Sequence, residues 1–427
     1  MRAYLPMLLF VLVPPVDAPA AAERAAPYDH CDRNGVELIA IPSGDGPARL
    51  LGIDCPPAGN RSPSPDGERF LGHRSPYHDY RYSKRLYVSG RDKGSVLMSY
   101  PFDALFLEFR QTGFLFHWAS DSRSIWGAHQ PKTNPNGWAA GSLTPVFIGP
   151  DGAPQELPPL ISDAGPLDGL LWIGGEGLAL AQFGTRGDYY RPEHSDPNPT
   201  LAFVDVKHGR VLNSLVLKDF PKAVSAQGTP MVPLQIASIL LPDGRPRVLF
   251  QWPSGYSLVW TQSSEPREIS LPKLPWGARI ALAADGGRLL VSHPLSATGA
   301  ICEYGNDEKD SCPPPTPVTG KLAELVDIET GKTIWEISHT ANRFEGYGEP
   351  VISPDGRYAL IGVPQNDDYM RGNWLIYKKI ALISMSDGKI LQTMPSFSSS
   401  YSMSFSTDGR FLIGSAGYAA TYKVGEP

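Results

Sequence analysis

The chain has 427 residues, a formal net charge of -6 at neutral pH and only 19% charged residues. That balance supplies no basic face of the kind that neutralises phosphates, so nucleic acid is not an expected partner. The 43 Gly and 43 Pro beside 41% hydrophobic residues describe a globular chain with many turns and few long helices, which favours an all-β class.

The N-terminus carries Arg2, the apolar run LPMLLFVLV (Leu5 to Val13) and then small residues. The run is too short to cross a bilayer and suits the h-region of a secretory signal, with Ala18-Pro19-Ala20 or Ala20-Ala21-Ala22 as the cleavage site. Residues 1–22 are therefore read as a signal peptide and residues 23–427 as a single domain, periplasmic or secreted, with no membrane span. Cys31 stands too far beyond the run to be a lipid-modified first residue. Four cysteines fit an oxidising compartment; they allow three connectivities, and locality favours Cys31 with Cys55 and Cys302 with Cys312. Neither pair has the C-x-x-C spacing of a zinc knuckle or thiol redox site, so structural disulfides are expected.

Next comes GVELIAIPSGDGPARLLGI (Gly35 to Ile53), which has the form of an outer hairpin with no inner pair before it. A repeated unit follows: a short apolar segment, Asp-Gly, a charged residue, then a β-rich segment ending in small residues. Its clear copies are RSPSPDGERFLGH (Arg61 to His73), ALAADGGRLLVSH (Ala281 to His293), VISPDGRYALIGV (Val351 to Val363) and MSFSTDGRFLIGS (Met403 to Ser415). Weaker copies begin at His117, Leu170 and Ala237, which makes seven, spaced by about 40 to 70 residues as propeller blades with insertions are. Asp-Gly suits a two-residue hairpin turn, because Gly adopts positive φ freely and Asp tolerates it. Second hairpins follow at Leu201 to Leu217, Lys321 to Ile337 and Ile380 to Met394 and supply two outer strands each.

The pattern predicts an all-β, seven-bladed β-propeller. The N-terminal hairpin and the last inner pair would share one blade and close the ring without an open sheet edge. YAATYKV (Tyr418 to Val424) is a further candidate strand that would make the division three plus one. The SPDGR turn and the VDIETGK hairpin resemble the WD-repeat-like and Tol-Pal-type β-propeller repeats of bacterial exported proteins. The likeness is of fold only: no copy has the Gly-His and Trp-Asp signatures of true WD repeats, and no functional residue carries over.

Nearly all the insertions fall between the second and third strands of a blade, and such loops share one face around the mouth of the central channel. Three of them combine aromatic platforms with Arg and carboxylates, the mixture enriched in binding hot spots. They hold Tyr77, His78, Asp79, Tyr80, Arg81 and Tyr82; Arg186, Asp188, Tyr189, Tyr190, Arg191 and His194; and Asp367, Asp368, Tyr369, Arg371 and Trp374. His73, His129 and His293 end second strands at the rim, but no H-x-H or H-E-x-x-H pair and no twelve-residue Ca²⁺ loop accompanies them, so no metal and no cofactor is assigned. There is no G-x-S-x-G, and the S-x-x-K at Ser386 to Lys389 lies in a hairpin turn. The expected function is an exported binding module that captures a protein segment or a glycan. The alternatives are a propeller-type polysaccharide lyase or glycosidase acting on an acidic glycan, and the heavy subunit of a periplasmic dehydrogenase.

Overall fold

The computed structural model describes residues 46–54, 61–74, 84–90, 96–102, 116–129, 143–165, 167–184, 200–220, 235–252, 254–275, 277–295, 316–341, 350–363, 378–396, 401–406, 408–415 and 419–425. Among them are 28 β-strands and one described helical turn, the 3-10 segment Leu217–Asp219. No helix among the described residues is long and apolar enough to cross a membrane.

The first strand is β1 (Ala48–Asp54). Sheet 1 then holds β2 (Arg61–Pro63), β3 (Arg69–Arg74), β4 (Lys84–Gly90) and β5 (Val96–Phe102). Sheet 2 holds β6 (Phe116–Trp118), β7 (Ile125–His129), β8 (Thr144–Ile148) and β9 (Pro154–Glu156), and sheet 3 holds β10 (Leu167–Trp172), β11 (Leu178–Phe183), β12 (Thr200–Asp205) and β13 (Arg210–Val216). Sheet 4 holds β14 (Gln235–Leu240), β15 (Pro246–Gln251), β16 (Ser257–Thr261) and β17 (Arg267–Ile269), and sheet 5 holds β18 (Arg279–Leu282), β19 (Arg288–Ser292), β20 (Val318–Asp327) and β21 (Thr333–Ala341). Sheet 6 holds β22 (Val351–Ile352), β23 (Tyr358–Val363), β24 (Lys378–Ser384) and β25 (Ile390–Ser396). Sheet 7 joins the two ends of the chain in the order β1, β28 (Ala419–Val424), β27 (Arg410–Ser415) and β26 (Tyr401–Phe405). Every pairing is antiparallel between neighbours.

The Asp-Gly turns join the first two strands of their sheets, but they are not two-residue turns. In the opening of sheet 6, Ser353 N–H donates to Tyr358 O and Gly356 N–H to Ser353 O, so four residues lie between the closing pair. Within this turn Gly356 has positive φ, at 69°, and Asp355 does not. Asp355 acts instead through its side chain. Its Oδ1 accepts from Ser353 Oγ at 2.6 Å and from Arg357 N–H at 3.0 Å, which ties down groups the strands leave unpaired. The same Ser–Asp pair recurs at Ser64–Asp66 and Ser406–Asp408. In sheet 2 no glycine is present in the turn, and Ser122 takes the left-handed place at φ 59°.

First strands lie side by side: β14 touches β18, β18 touches β22, β22 touches β26, and β26 touches β2. They therefore form the inner edge of the assembly, and the fourth strands the outer. Apolar faces pack between consecutive sheets. Trp126, Trp172, Phe183 and Val204 fill the space between sheets 2 and 3, and Phe203, Phe250, Trp252 and Trp260 that between 3 and 4. Leu249, Val291 and Val326 join sheets 4 and 5, and Leu325, Trp335, Ile361 and Ile383 join 5 and 6.

Hydrogen bonds stitch the same joints. Trp126 Nε1 donates to Gly175 O at 2.7 Å, Asn213 Nδ2 to Gln262 O at 2.9 Å, Arg247 Nη1 to Gly286 O at 2.9 Å and Trp335 Nε1 to Met385 O at 3.0 Å. Between sheets 1 and 2, Asp66 N–H donates to Ser122 Oγ at 3.0 Å. Gln392 of sheet 6 binds Ala48 of sheet 7 twice, accepting its N–H at 2.8 Å and donating to its carbonyl at 3.0 Å. Arg410 of sheet 7 reaches sheet 1 through Asp66 O at 2.5 Å and Glu68 Oε1 at 2.8 Å.

The division of sheet 7 corrects the expectation that an N-terminal hairpin meets a C-terminal inner pair. Ala419–Val424 pairs with β27 and takes the third place, so among the described residues β1 is the strand that joins from the N-terminal side, with Ala48 opposite Val424 and Asp54 opposite Ala419. The physical reason is adjacency: β28 follows β27 directly in sequence and fills the position before a distant strand can. Residues 35–45, the other half of the expected hairpin, lie outside the described residues, as do Cys31, Cys55, Cys302 and Cys312.

Candidate functional site

The long insertions leave the sheets where expected. Residues 75–83 connect β3 to β4, 130–143 connect β7 to β8, 184–199 connect β11 to β12, 293–317 connect β19 to β20, and 364–377 connect β23 to β24. Each is a second-to-third strand connection. Because the sheets share one strand order with the first strand innermost, these connections depart from the same end of the assembly. First-to-second turns and third-to-fourth turns lie at the other end and are short.

The expected contact residues themselves lie outside the described residues: Tyr77, His78, Asp79, Tyr80, Arg81 and Tyr82; Arg186, Asp188, Tyr189, Tyr190, Arg191 and His194; Asp367, Asp368, Tyr369, Arg371 and Trp374. The strands beneath them are described, so the roots of the loops are placed while the loop side chains are not. His73 and His129 sit on β3 and β7, in register with Leu86 and Thr144. Among the described residues no three His, Cys, Asp or Glu side chains gather as a metal would need.

At the root of the 293–317 insertion stands a charged cluster. His293 follows β19 directly, and its backbone N–H donates to Leu322 O at 2.8 Å, which extends the strand by one residue. Its Nε2 donates to Glu324 Oε1 at 2.9 Å. Glu324 is only 2% exposed, and its other oxygen accepts from Lys321 Nζ at 2.7 Å and Thr333 Oγ1 at 2.9 Å. The hydrogen bond from His293, then those from Lys321 and Thr333, hold the carboxyl at about 2 against the burial that would raise it. Lys321 also reaches Glu336 at 3.2 Å. A carboxylate that stays ionised, with both oxygens engaged, cannot shuttle a proton near neutral pH. Its chemistry is that of an anchor, fixing where the longest insertion leaves the sheet.

Sequence reasoning reaches His293 but misses Glu324 as its partner. A signal is present: Glu324 interrupts the run Leu322, Ala323, Leu325, Val326, whose other members are all buried. A carboxylate inside such a run needs cationic or hydroxyl partners, because an unpaired charge there is prohibitively costly.

Near the inner edge, half-buried His117 lies on β6 opposite Trp126. The protein packed around the ring pushes its imidazole down to about 4, so the ring is neutral at physiological pH. Phe116 and Trp118 on either side pack toward sheet 1, with Leu71 and Val88, and alternation along the strand gives His117 the opposite face.

Seven sheets with first strands inward and this strand order decide the fold. The fold is all-β, four-stranded antiparallel sheets arranged as in a β-propeller. No family model matches the chain, and no curated protein is similar to it. Among solved structures it is similar to the β-propeller domain of Cps50 (Swd1) from Myceliophteria thermophila, at 10% identity and a TM-score of 0.43 over 88% of this chain and 100% of that one. It is also similar to hydrazine synthase of Kuenenia stuttgartiensis, at 12% identity and a TM-score of 0.44 over 85% of this chain and 94% of that one. Likenesses of this size bear on neither activity nor partner.

Proposed function

We propose that this chain is an exported seven-bladed propeller, closed by sheet 7, that binds a protein segment or a glycan through the insertions at one end. The observation that carries this reading is the segregation of the long connections: the five second-to-third insertions and the long fourth-to-first connections 103–115 and 217–234 leave from one end, while the opposite end has only short turns. That opposite end is also neutralised internally, by the pairs Arg245–Asp243, Arg288–Asp285, Arg357–Asp355 and Arg410–Asp408. A rigid ring that displays aromatic and Arg-rich loops on one side fits capture of an extended ligand. Closure of the ring is supported by the contacts that run through all seven sheets and return from Arg410 to Asp66. Export is supported by the short apolar run Leu5 to Val13, and disulfides Cys31–Cys55 and Cys302–Cys312, favoured by locality among three connectivities, fit that compartment.

Glu324, engaged on both oxygens, offers the lyase or glycosidase alternative no proton-transfer group. A glycan and peptide array probed with purified protein, followed by the double substitution Tyr189→Ala with Arg191→Ala, tests the binding reading. Binding should weaken by about 2 kcal/mol or more with the melting temperature unchanged. Lost stability with intact binding would mean that these side chains only pack, and would end the assignment of this face.

A further inference from the structure

Three buried side-chain hydroxyls among the described residues have no hydrogen-bond partner: Ser404 Oγ, Thr421 Oγ1 and Tyr422 OH. All three belong to sheet 7, on β26 and β28. Register places them on both of its faces. Phe405, Phe411, Tyr422 and Leu50 form one row, and this row packs with Leu360, Ile380, Leu382 and Met394 of sheet 6. Ser404 and Thr421 each stand one residue away from that row, so alternation turns them the other way, toward sheet 1, where β2 meets β26 and β27. Tyr422 is fully buried, and that burial raises its phenol to about 12.

A buried hydroxyl without a partner has lost its water and gained nothing in exchange, so rehydrating it offsets part of the cost of any motion that exposes it. No such hydroxyl occurs in the other six sheets among the described residues. Sheet 7 is also assembled from the two ends of the chain, so it can separate without unthreading any other strand. Its pairing with β1 is interrupted by a bulge between Leu50 and Gly52, and Leu51 beside it is 46% exposed. Against release stand the two Gln392–Ala48 bonds, the contacts of Arg410 with sheet 1, and the apolar row facing sheet 6.

We propose that sheet 7 is the built-in opening point of the ring: it detaches as a unit from sheets 1 and 6 while sheets 2 to 5 stay folded. The device would let the ring widen at one seam without global unfolding, and so let its loop end admit a bulky ligand. The proposal rests on the reading of sheet 7 as the closing sheet.

Native-state hydrogen exchange followed by mass spectrometry tests it on the whole protein. Peptides covering 46–54, 401–406 and 419–425 should exchange at least about 100-fold faster than those covering 246–261 and 318–341, with a denaturant dependence that is above zero, because opening exposes the apolar row, and below that of global unfolding. Thr421→Val and Tyr422→Phe remove hydroxyls without changing shape and should each slow exchange of the sheet 7 peptides about tenfold, leaving 318–341 unchanged. Equal protection and equal denaturant dependence across all peptides would overturn the proposal. Faster exchange in either variant would also overturn it, because the hydroxyl would then be bonded through water in the native state. Sheet 7 peptides with no protection at all would instead refute the closed ring on which the proposal rests.

Discussion

Replacing Glu324 by Gln keeps the shape of the side chain and removes its charge. The carboxyl is 2% exposed and sits at about 2, against an ordinary value of 4.5, so the difference of about 2.5 pH units corresponds to roughly 3 kcal/mol between the ionised and neutral forms. Gln cannot accept on both sides: its amide N–H₂ must face either His293 or the Lys321 and Thr333 donors. Lys321 is about a third exposed and already reaches Glu336, so it recovers part of its loss by turning outward. The expected destabilisation at pH 7 is therefore about 2–3 kcal/mol, near the lower bound for breaking a buried pair. Because the folded-state value is depressed, the unfolded chain binds more protons between the two values. The wild-type advantage should be complete above about pH 5, shrink as pH falls through 4.5 and disappear near 2. Urea denaturation of both proteins at a series of pH values measures this. A difference below about 0.5 kcal/mol at pH 7, or one that persists unchanged to about pH 2.5, would refute the argument that the carboxylate is a buried, charged hub.

His117 supplies a second titration of the same sign: with its folded value at about 4 and its ordinary value at 6.5, stability should fall by up to about 3 kcal/mol as pH drops from 6.5 to 4. His117→Leu should remove that slope, and an unchanged slope would show that His117 is solvated. Gln392→Leu leaves the Ala48 N–H and carbonyl buried and unpaired and should cost about 2–4 kcal/mol in chemical denaturation; a loss under about 0.5 kcal/mol, on the scale of an ordinary surface change, would argue against that seam. Two glycines separate backbone strain from packing at the joints. Gly356 and Gly331 both have positive φ, at 69° and 66°, but an added Cβ meets nothing at Gly356 and overlaps the Ser270 carbonyl oxygen at Gly331. Gly356→Ala should cost about 1 kcal/mol and Gly331→Ala at least twice that, and equal melting-temperature shifts would show that the loop of sheet 4 yields freely.

The strands are legible in the sequence because two signals coincide. Asp-Gly marks a turn by its backbone demands, and the residues after it alternate or run apolar over the length of one strand. Val351 to Val363 therefore yields β22 and β23 directly. The type of turn is not legible, because Asp355 acts through its side chain on Ser353 and Arg357, and a Ser two residues before Asp reads equally well as a solvent-facing loop residue. Sheet 7 is ambiguous for a related reason. YAATYKV and ARLLGI are both short and β-rich, and only adjacency to β27 decides which takes the third place.

The joints between sheets are invisible for a different reason. Trp126 finds Gly175 and Trp335 finds Met385 across 49 and 50 residues, and no local pattern encodes the pairing. Glu324 is readable in principle, as a charge inside an apolar run, but its three donors come from three separate positions on β20, β21 and the end of β19. The loop end differs again, since its chemistry is legible while its geometry is not. Tyr189, Tyr190 and Arg191 have the residue types of the proposed contact surface, and β11 and β12 fix only where their loop begins. Function in this fold thus depends least on the part the sequence repeats. The Asp-Gly units and their variants build the same kind of sheet again and again, and whatever distinguishes this propeller from another must lie in segments that occur once.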